Sequence, residues 1–191
     1  MTVGRYRAAD LATFALLLAV FETVAVTAAT RWFPGEPYTV SMTPAVTCIV
    51  MMRWGPWAAI HALVGAAAFC RASGAQGMHY AVYGLGNLAC MLALIMRVRL
   101  TPEGIRKSIG LSLGFSLCVT LLMQLGRAVV AVLLGASVQA ALGFFTTDAV
   151  TLLFTLVLTW IVRRLDGMFE DQKHYLLRLG RQDEEEDFDE R

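Results

Sequence analysis

Apolar runs of roughly 18 residues or more recur along this 191-residue chain, and that is the length an α-helix needs to cross the hydrocarbon of a bilayer. Hydrophobic residues make up 57% of the sequence and charged residues only 16%, which excludes an ordinary soluble domain. The sequence predicts an all-α polytopic membrane protein with about six transmembrane helices and no separate soluble domain. Punctuation places the spans at Ala8–Thr30, Thr39–Met52, Pro56–Arg71, Met78–Val98, Ser108–Gly135 and Ala140–Val162. The second and third are close to the lower length limit. Pro44 and Pro56 would kink or start a helix there, so tilted or partly broken helices are expected.

Lys and Arg set the orientation. Arg5, Arg7, Arg53, Arg97, Arg99, Arg106, Lys107, Arg163 and Arg164 fall on one side, whereas Arg31 and Arg71 fall on the other. The first side is therefore predicted to be cytoplasmic, with both termini inside. The net charge of +1 hides this asymmetry, because Asp183 to Glu190 is almost entirely acidic. The chain divides into a transmembrane domain at 1–165, an amphipathic cytoplasmic helix at 166–180 and a disordered acidic tail at 181–191. On the helix from Asp166 to Leu179, residues Met168, Phe169, Tyr175, Leu176 and Leu179 share a face for a membrane or a partner, with Gly167 as a hinge. The first span is longer than a signal-peptide core and contains Glu22, so it is read as a mature helix.

Three charged residues, Glu22, Arg127 and Asp148, interrupt otherwise apolar spans. An ionisable group in hydrocarbon costs about 3 kcal/mol even on lenient scales, so it is kept where it meets a partner or a wet cavity. At 1.5 Å per residue, Glu22 lies roughly 20 Å from the inner surface, Arg127 roughly 28 Å from it, and Asp148 about 12 Å below the outer surface. All three thus belong to the outer half. Gln124 sits one turn below Arg127, and Thr146, Thr147 and Thr151 surround Asp148, so one outward-opening polar site is expected. The plainer alternative is that Arg127 pairs with Glu22 or Asp148, or snorkels to headgroups. His61 and Asn87 are read as packing residues. The connection Arg31 to Tyr38 carries Trp32, Phe33 and Tyr38 beside Pro34, Gly35 and Pro37, which suits an interfacial anchor or a lid over the site.

Small residues repeat at Ala15 and Ala19, at Ala58, Ala62 and Ala66, and at Gly110 and Gly114, where backbones can approach closely. Cys48, Cys70, Cys90 and Cys118 stand singly without a CxxC pair, and no metal site, cofactor or disulfide framework is expected. The chain has no GxxxxGK[ST], HExxH or GxSxG motif and no dinucleotide fingerprint, so neither ATP hydrolysis nor common membrane hydrolase chemistry has an apparatus here.

With these features the chain resembles the S components, the substrate-binding membrane subunits of energy-coupling factor (ECF) vitamin transporters. The likeness runs over residues 8 to 163. It lies in the size, the spans, Ala15-Leu-Leu-Leu-Ala19, and the run from Pro44 through Arg53-Trp-Gly-Pro-Trp-Ala-Ala-Ile60 to Ala68. The resemblance implies a bacterial plasma-membrane subunit of an ABC importer that binds a vitamin-like solute from outside. It also implies that Ala15 and Ala19 contact a coupling transmembrane subunit, that two ATPases drive the cycle, and that Trp32 to Tyr38 closes over the substrate. The segment after Arg163 is not part of that pattern. The rival reading is a scaffold protein of the MreD type in the cell-wall machinery, which needs no polar pocket. A membrane enzyme would need a nucleophile or metal set beside Glu22 and Asp148.

Overall fold

A computed structural model describes residues 2–36 and 40–179. These residues form helices and turns only, with no strand among them. Four helical stretches are long and apolar enough to cross a membrane: Val3–Trp32, Gly77–Leu100, Ile109–Leu133 and Val138–Val162. The other two expected spans are shorter and fill the space between the long ones. The expected Thr39–Met52 begins outside the described residues, and helix α2 is observed at Thr43–Trp54. The expected Pro56–Arg71 appears as a 3-10 turn at Gly55–Trp57 followed by α3 at Ala58–Ala72.

Helix α2 is the centre of the molecule. Of its twelve residues only Val46 escapes full burial, and at 1.5 Å per residue it is about 18 Å long, too short to span alone. Its sequence has no polar face because every face meets another helix. Cys48, Met51 and Met52 join Phe115, Val119 and Met123 in the core. Pro44 lies in the first turn, where its missing N–H has no cost, so it starts the helix and does not kink it. At the other end Gly55, with φ +62, reverses the chain into α3.

Contacts along α1 (Val3–Trp32) fix the directions of the helices. Arg53 and Trp54 at the end of α2 bond Asp10 near the start of α1, and the start of α2 meets Glu22 further along, so these helices are antiparallel. His61 on α3 bonds the Leu11 carbonyl and Arg7 lies over Trp57, so α1 and α3 run parallel. Ala58, Ala62 and Ala66 are all buried in the bundle. Gly65 meets the Thr43 side chain so closely that a Cβ would overlap it.

Helix α4 (Gly77–Asn87) tightens into a 3-10 segment at Leu88–Ala93 before α5 (Leu94–Leu100). Its partner is α7 (Ile109–Leu133), reached through the short α6 (Pro102–Lys107). The closest approach of α4 and α7 is at Gly86 and Gly126. A Cβ on Gly86 would lie 2.6 Å from the Arg127 backbone, and one on Gly126 would overlap the Gly86 carbonyl oxygen. By contrast, the Gly110 and Gly114 pair packs no helix: a Cβ at Gly114 would meet nothing within 4 Å. We expect Gly126→Leu to abolish folded protein, read as aggregation on size-exclusion chromatography, and Gly114→Leu to leave the monodisperse peak unchanged.

The last long stretch breaks at Asp148, which ends α8 (Val138–Thr147) and precedes α9 (Ala149–Val162). Hydroxyls facing the interior return to their own helices: Ser116 donates to the Ser112 carbonyl, Thr120 to Ser116 and Thr155 to Thr151. These three hydroxyls are satisfied locally, whereas those of Thr47 and Thr159 are buried without a partner among the described residues.

The segment after Val162 folds back under the bundle, and the helix expected from Asp166 to Leu179 starts later. The helix spans only 172–179, and residues 166–170 form turns. Phe169 and Gln172 are wholly buried. The Gly167 carbonyl accepts from Arg53 and from Gln172, Tyr6 donates to Gln172, and Arg97 pairs with Asp171 at 2.6 Å. Gly167 is therefore a packed turn at φ +69, with a Cβ excluded by the Tyr175 ring, and not a hinge. The acidic tail lies outside the described residues.

Candidate functional site

Glu22 is wholly buried on α1, and its carboxylate is occupied by the start of α2. It accepts from the Ser41 hydroxyl at 2.6 Å, the Met42 N–H at 2.7 Å and the Thr43 N–H at 3.1 Å. These are N–H groups that a helix start leaves without intrahelical partners, and the positive end of the helix dipole favours a carboxylate there. Glu22 thus acts as a cap supplied by a neighbouring helix. It pins the far end of the α1–α2 connection.

Arg127, on α7, forms the second cluster. Its Nη1 meets Asp148 Oδ2 at 2.5 Å and its Nε donates to Asn87 Oδ1 at 2.9 Å, joining α7, the α8–α9 break and α4. Arg127 and Asp148 side chains are both 3% exposed. Asn87 in turn donates to the Ala62 carbonyl at 3.4 Å. The Tyr83 ring lies under the guanidinium at 5.0 Å, stacked on Phe69 and edge-on to Phe144. Aromatic rings therefore cover a charge pair in a dry setting, where its mutual attraction is strong. Gln124 is buried one turn before Arg127.

The two clusters meet at α9. Thr151, one turn after Asp148, accepts from the Ser41 N–H at 3.0 Å, and Ser41 donates to Glu22. Where one polar site was expected for Glu22, Arg127 and Asp148, all three are buried, in two adjacent clusters. Ser41, Asn87 and Tyr83 are the members that sequence reasoning did not assign to the site. Asn87 was visible as an amide in the middle of an apolar span, which was the available signal.

Near these clusters, at the end carrying Arg31 and Arg71, a cavity of about 170 Å³ opens between α1, α3 and the connection to α2. Val26, Thr30, Phe33, Glu36, Phe69 and Ser73 are among its walls. Phe69 belongs both to this cavity and to the aromatic stack over Arg127. Of the expected lid residues, Trp32 is the last residue of α1 and 75% exposed, Phe33 lines the cavity, and Tyr38 lies outside the described residues. Ala15 and Ala19 are half-buried on α1, beside exposed Leu16, Leu17 and Val20.

At the opposite end a second, half-buried ion pair was not anticipated: Asp10 accepts from Arg53 and from the Trp54 indole. Outside the spans, the Lys107 ammonium bonded to Glu103 holds that carboxyl below the ordinary carboxylate range. The four cysteines are free, and among the described residues no group of three His, Cys, Asp or Glu side chains converges as metal ligands. The chain matches no protein-family model, no curated protein and no solved structure.

Proposed function

We propose that this protein is the substrate-binding membrane subunit of an ECF-type importer, taking a small vitamin-like solute from the outer side. The observation that supports this reading is the cavity at the weakly basic end, walled by the α1–α2 connection whose far end is tied down by Glu22. In this reading the four long stretches cross a bacterial plasma membrane with α2 and α3 packed among them, and the Arg-rich end with both termini faces the cytoplasm. One end of the solute lies against Phe33 and Phe69, with Glu36 and Ser73 available to a donor or cationic group, since about 170 Å³ holds only part of a vitamin-sized molecule. Glu22, Gln124, Arg127 and Asp148 frame the site, and Phe69 carries contact from the solute to Tyr83 and Arg127. Ala15 and Ala19 offer α1 to a coupling transmembrane subunit, and two ATPase subunits supply the power for which this chain has no nucleotide loop.

A second reading has its own support. Arg127 and Asp148 satisfy each other inside the chain, as suits a rigid scaffold of the MreD type. The two readings separate in one experiment. The protein is purified with its native membrane partners, and retained small molecules and co-purifying subunits are identified by mass spectrometry. The importer reading expects a stoichiometric solute that Phe33→Ala and Phe69→Ala release, and an ATPase module that Ala15→Trp removes without loss of the solute. A solute-free protein co-purifying with cell-wall machinery would favour the scaffold.

A further inference from the structure

A more voluminous opening lies at the opposite, Arg-rich end and takes no part in the proposed uptake site. Between α6, the end of α9 and the helix at 172–179 lies a cleft of about 650 Å³, within the range of small-molecule sites. Most of its charges are paired within the wall. Lys107 pairs with Glu103, Arg106 pairs with Asp166 and Glu170, Arg178 pairs with the same two acids, and Asp171 pairs with Arg97 and faces His174. One cation in the wall is left over. Arg163 has no carboxylate partner among the described residues: its Nη1 donates to the Arg106 backbone carbonyl at 3.0 Å, and its buried Nε has no acceptor.

A guanidinium without a carboxylate partner is a ready site for an oxyanion, which accepts charge-assisted hydrogen bonds from the N–H groups left open to the cleft. A second feature lies in the same wall. Thr101 is the one described non-glycine residue with positive φ, at φ 57 and ψ 148, a conformation that a β-branched residue adopts at a cost. It holds α6, with Arg106 and Lys107, at the edge of the cleft. Backbone strain is thus retained where cations are gathered.

We infer that this cleft binds a phosphate group, with Arg163 as the anchoring cation and Arg106 and Arg178 at its sides. Two sources carry that chemistry, an anionic phospholipid headgroup and free phosphate, and they are told apart by the form in which the probe is offered. The inference concerns the chain alone and does not depend on the uptake reading.

The test uses the full chain without any ATPase partner. In detergent, the thermal midpoint is followed against inorganic phosphate at constant ionic strength set with chloride. In nanodiscs, binding is followed against an increasing fraction of phosphatidylglycerol in phosphatidylcholine. A saturable response is expected in at least one arm, the first identifying free phosphate and the second a lipid headgroup. Arg163→Gln should weaken it roughly tenfold or more, the scale of a charge-assisted contact. Arg164→Gln, whose guanidinium lies over Trp160 outside the cleft, should leave it unchanged. If Arg163→Gln does not fold, Arg178→Gln at the cleft rim becomes the deciding variant and should weaken the response roughly threefold. No saturable response in either arm, or wild-type binding by the deciding variant, would overturn the inference.

Discussion

Replacing Asp148 with alanine is expected to destabilise the bundle by about 3–5 kcal/mol, the cost of leaving one member of a buried ion pair without its partner. Arg127 would remain charged at 3% exposure, with Asn87 and the Tyr83 ring as its remaining polar contacts. Arg127→Met should be damaging for the converse reason. The double variant Arg127→Met/Asp148→Leu should recover most of the loss, because an apolar pair removes both desolvation penalties together. Denaturant unfolding in detergent, arranged as a double-mutant cycle, measures the coupling. Losses that simply add would mean that the pair contributes nothing as a pair. The same cycle bears on uptake: a solute still retained by the double variant assigns these charges to framing the cavity, whereas a solute lost from the folded double variant assigns them to contact.

The burial of that pair was legible in the sequence, since a charge within an apolar run has few places to go. Its geometry was not. Arg127 is forty residues from Asn87 and twenty-one from Asp148, and nothing local states which helices are neighbours. Glu22 is a sharper instance. A reading by charge looks for a cation, but the partners of Glu22 are a hydroxyl and two backbone N–H groups at the start of α2, which carry no sequence signature. Helix contacts followed the same division. The Ala58, Ala62 and Ala66 stripe marked a real interface, whereas the tightest crossing uses Gly86 and Gly126, two glycines in different spans that form no motif. The amphipathic pattern after Asp166 suggested a face for a membrane or partner, whereas Phe169 and Gln172 are buried against this chain's own Arg-rich end.

Substituting Glu22 with glutamine should cost about 2–4 kcal/mol, although the change keeps the size and shape of the side chain. A carboxylate presents two acceptor oxygens to three donors, and glutamine turns one of them into an NH2 group facing N–H and O–H donors. Hydrogen bonds to a charged acceptor are worth about 1.5–3 kcal/mol each, and the favourable meeting of a carboxylate with the α2 dipole is lost as well. The damage should be local first. Amide hydrogen exchange at residues 41–43 should rise before exchange elsewhere in α2, because Ser41 loses its hold on Glu22 and keeps its N–H contact with Thr151. Because the α1–α2 connection walls the cavity through Phe33, Glu36 and Val40, a solute bound there, as the importer reading proposes, should leave faster from Glu22→Gln than from wild type. The proposed assembly through Ala15 and Ala19, two turns or less away on α1 on the Asp10 side of the cap, should persist. Unchanged exchange at residues 41–43 would show that the start of α2 holds its place without the carboxylate, and would remove Glu22 from the account of how the cavity is shaped.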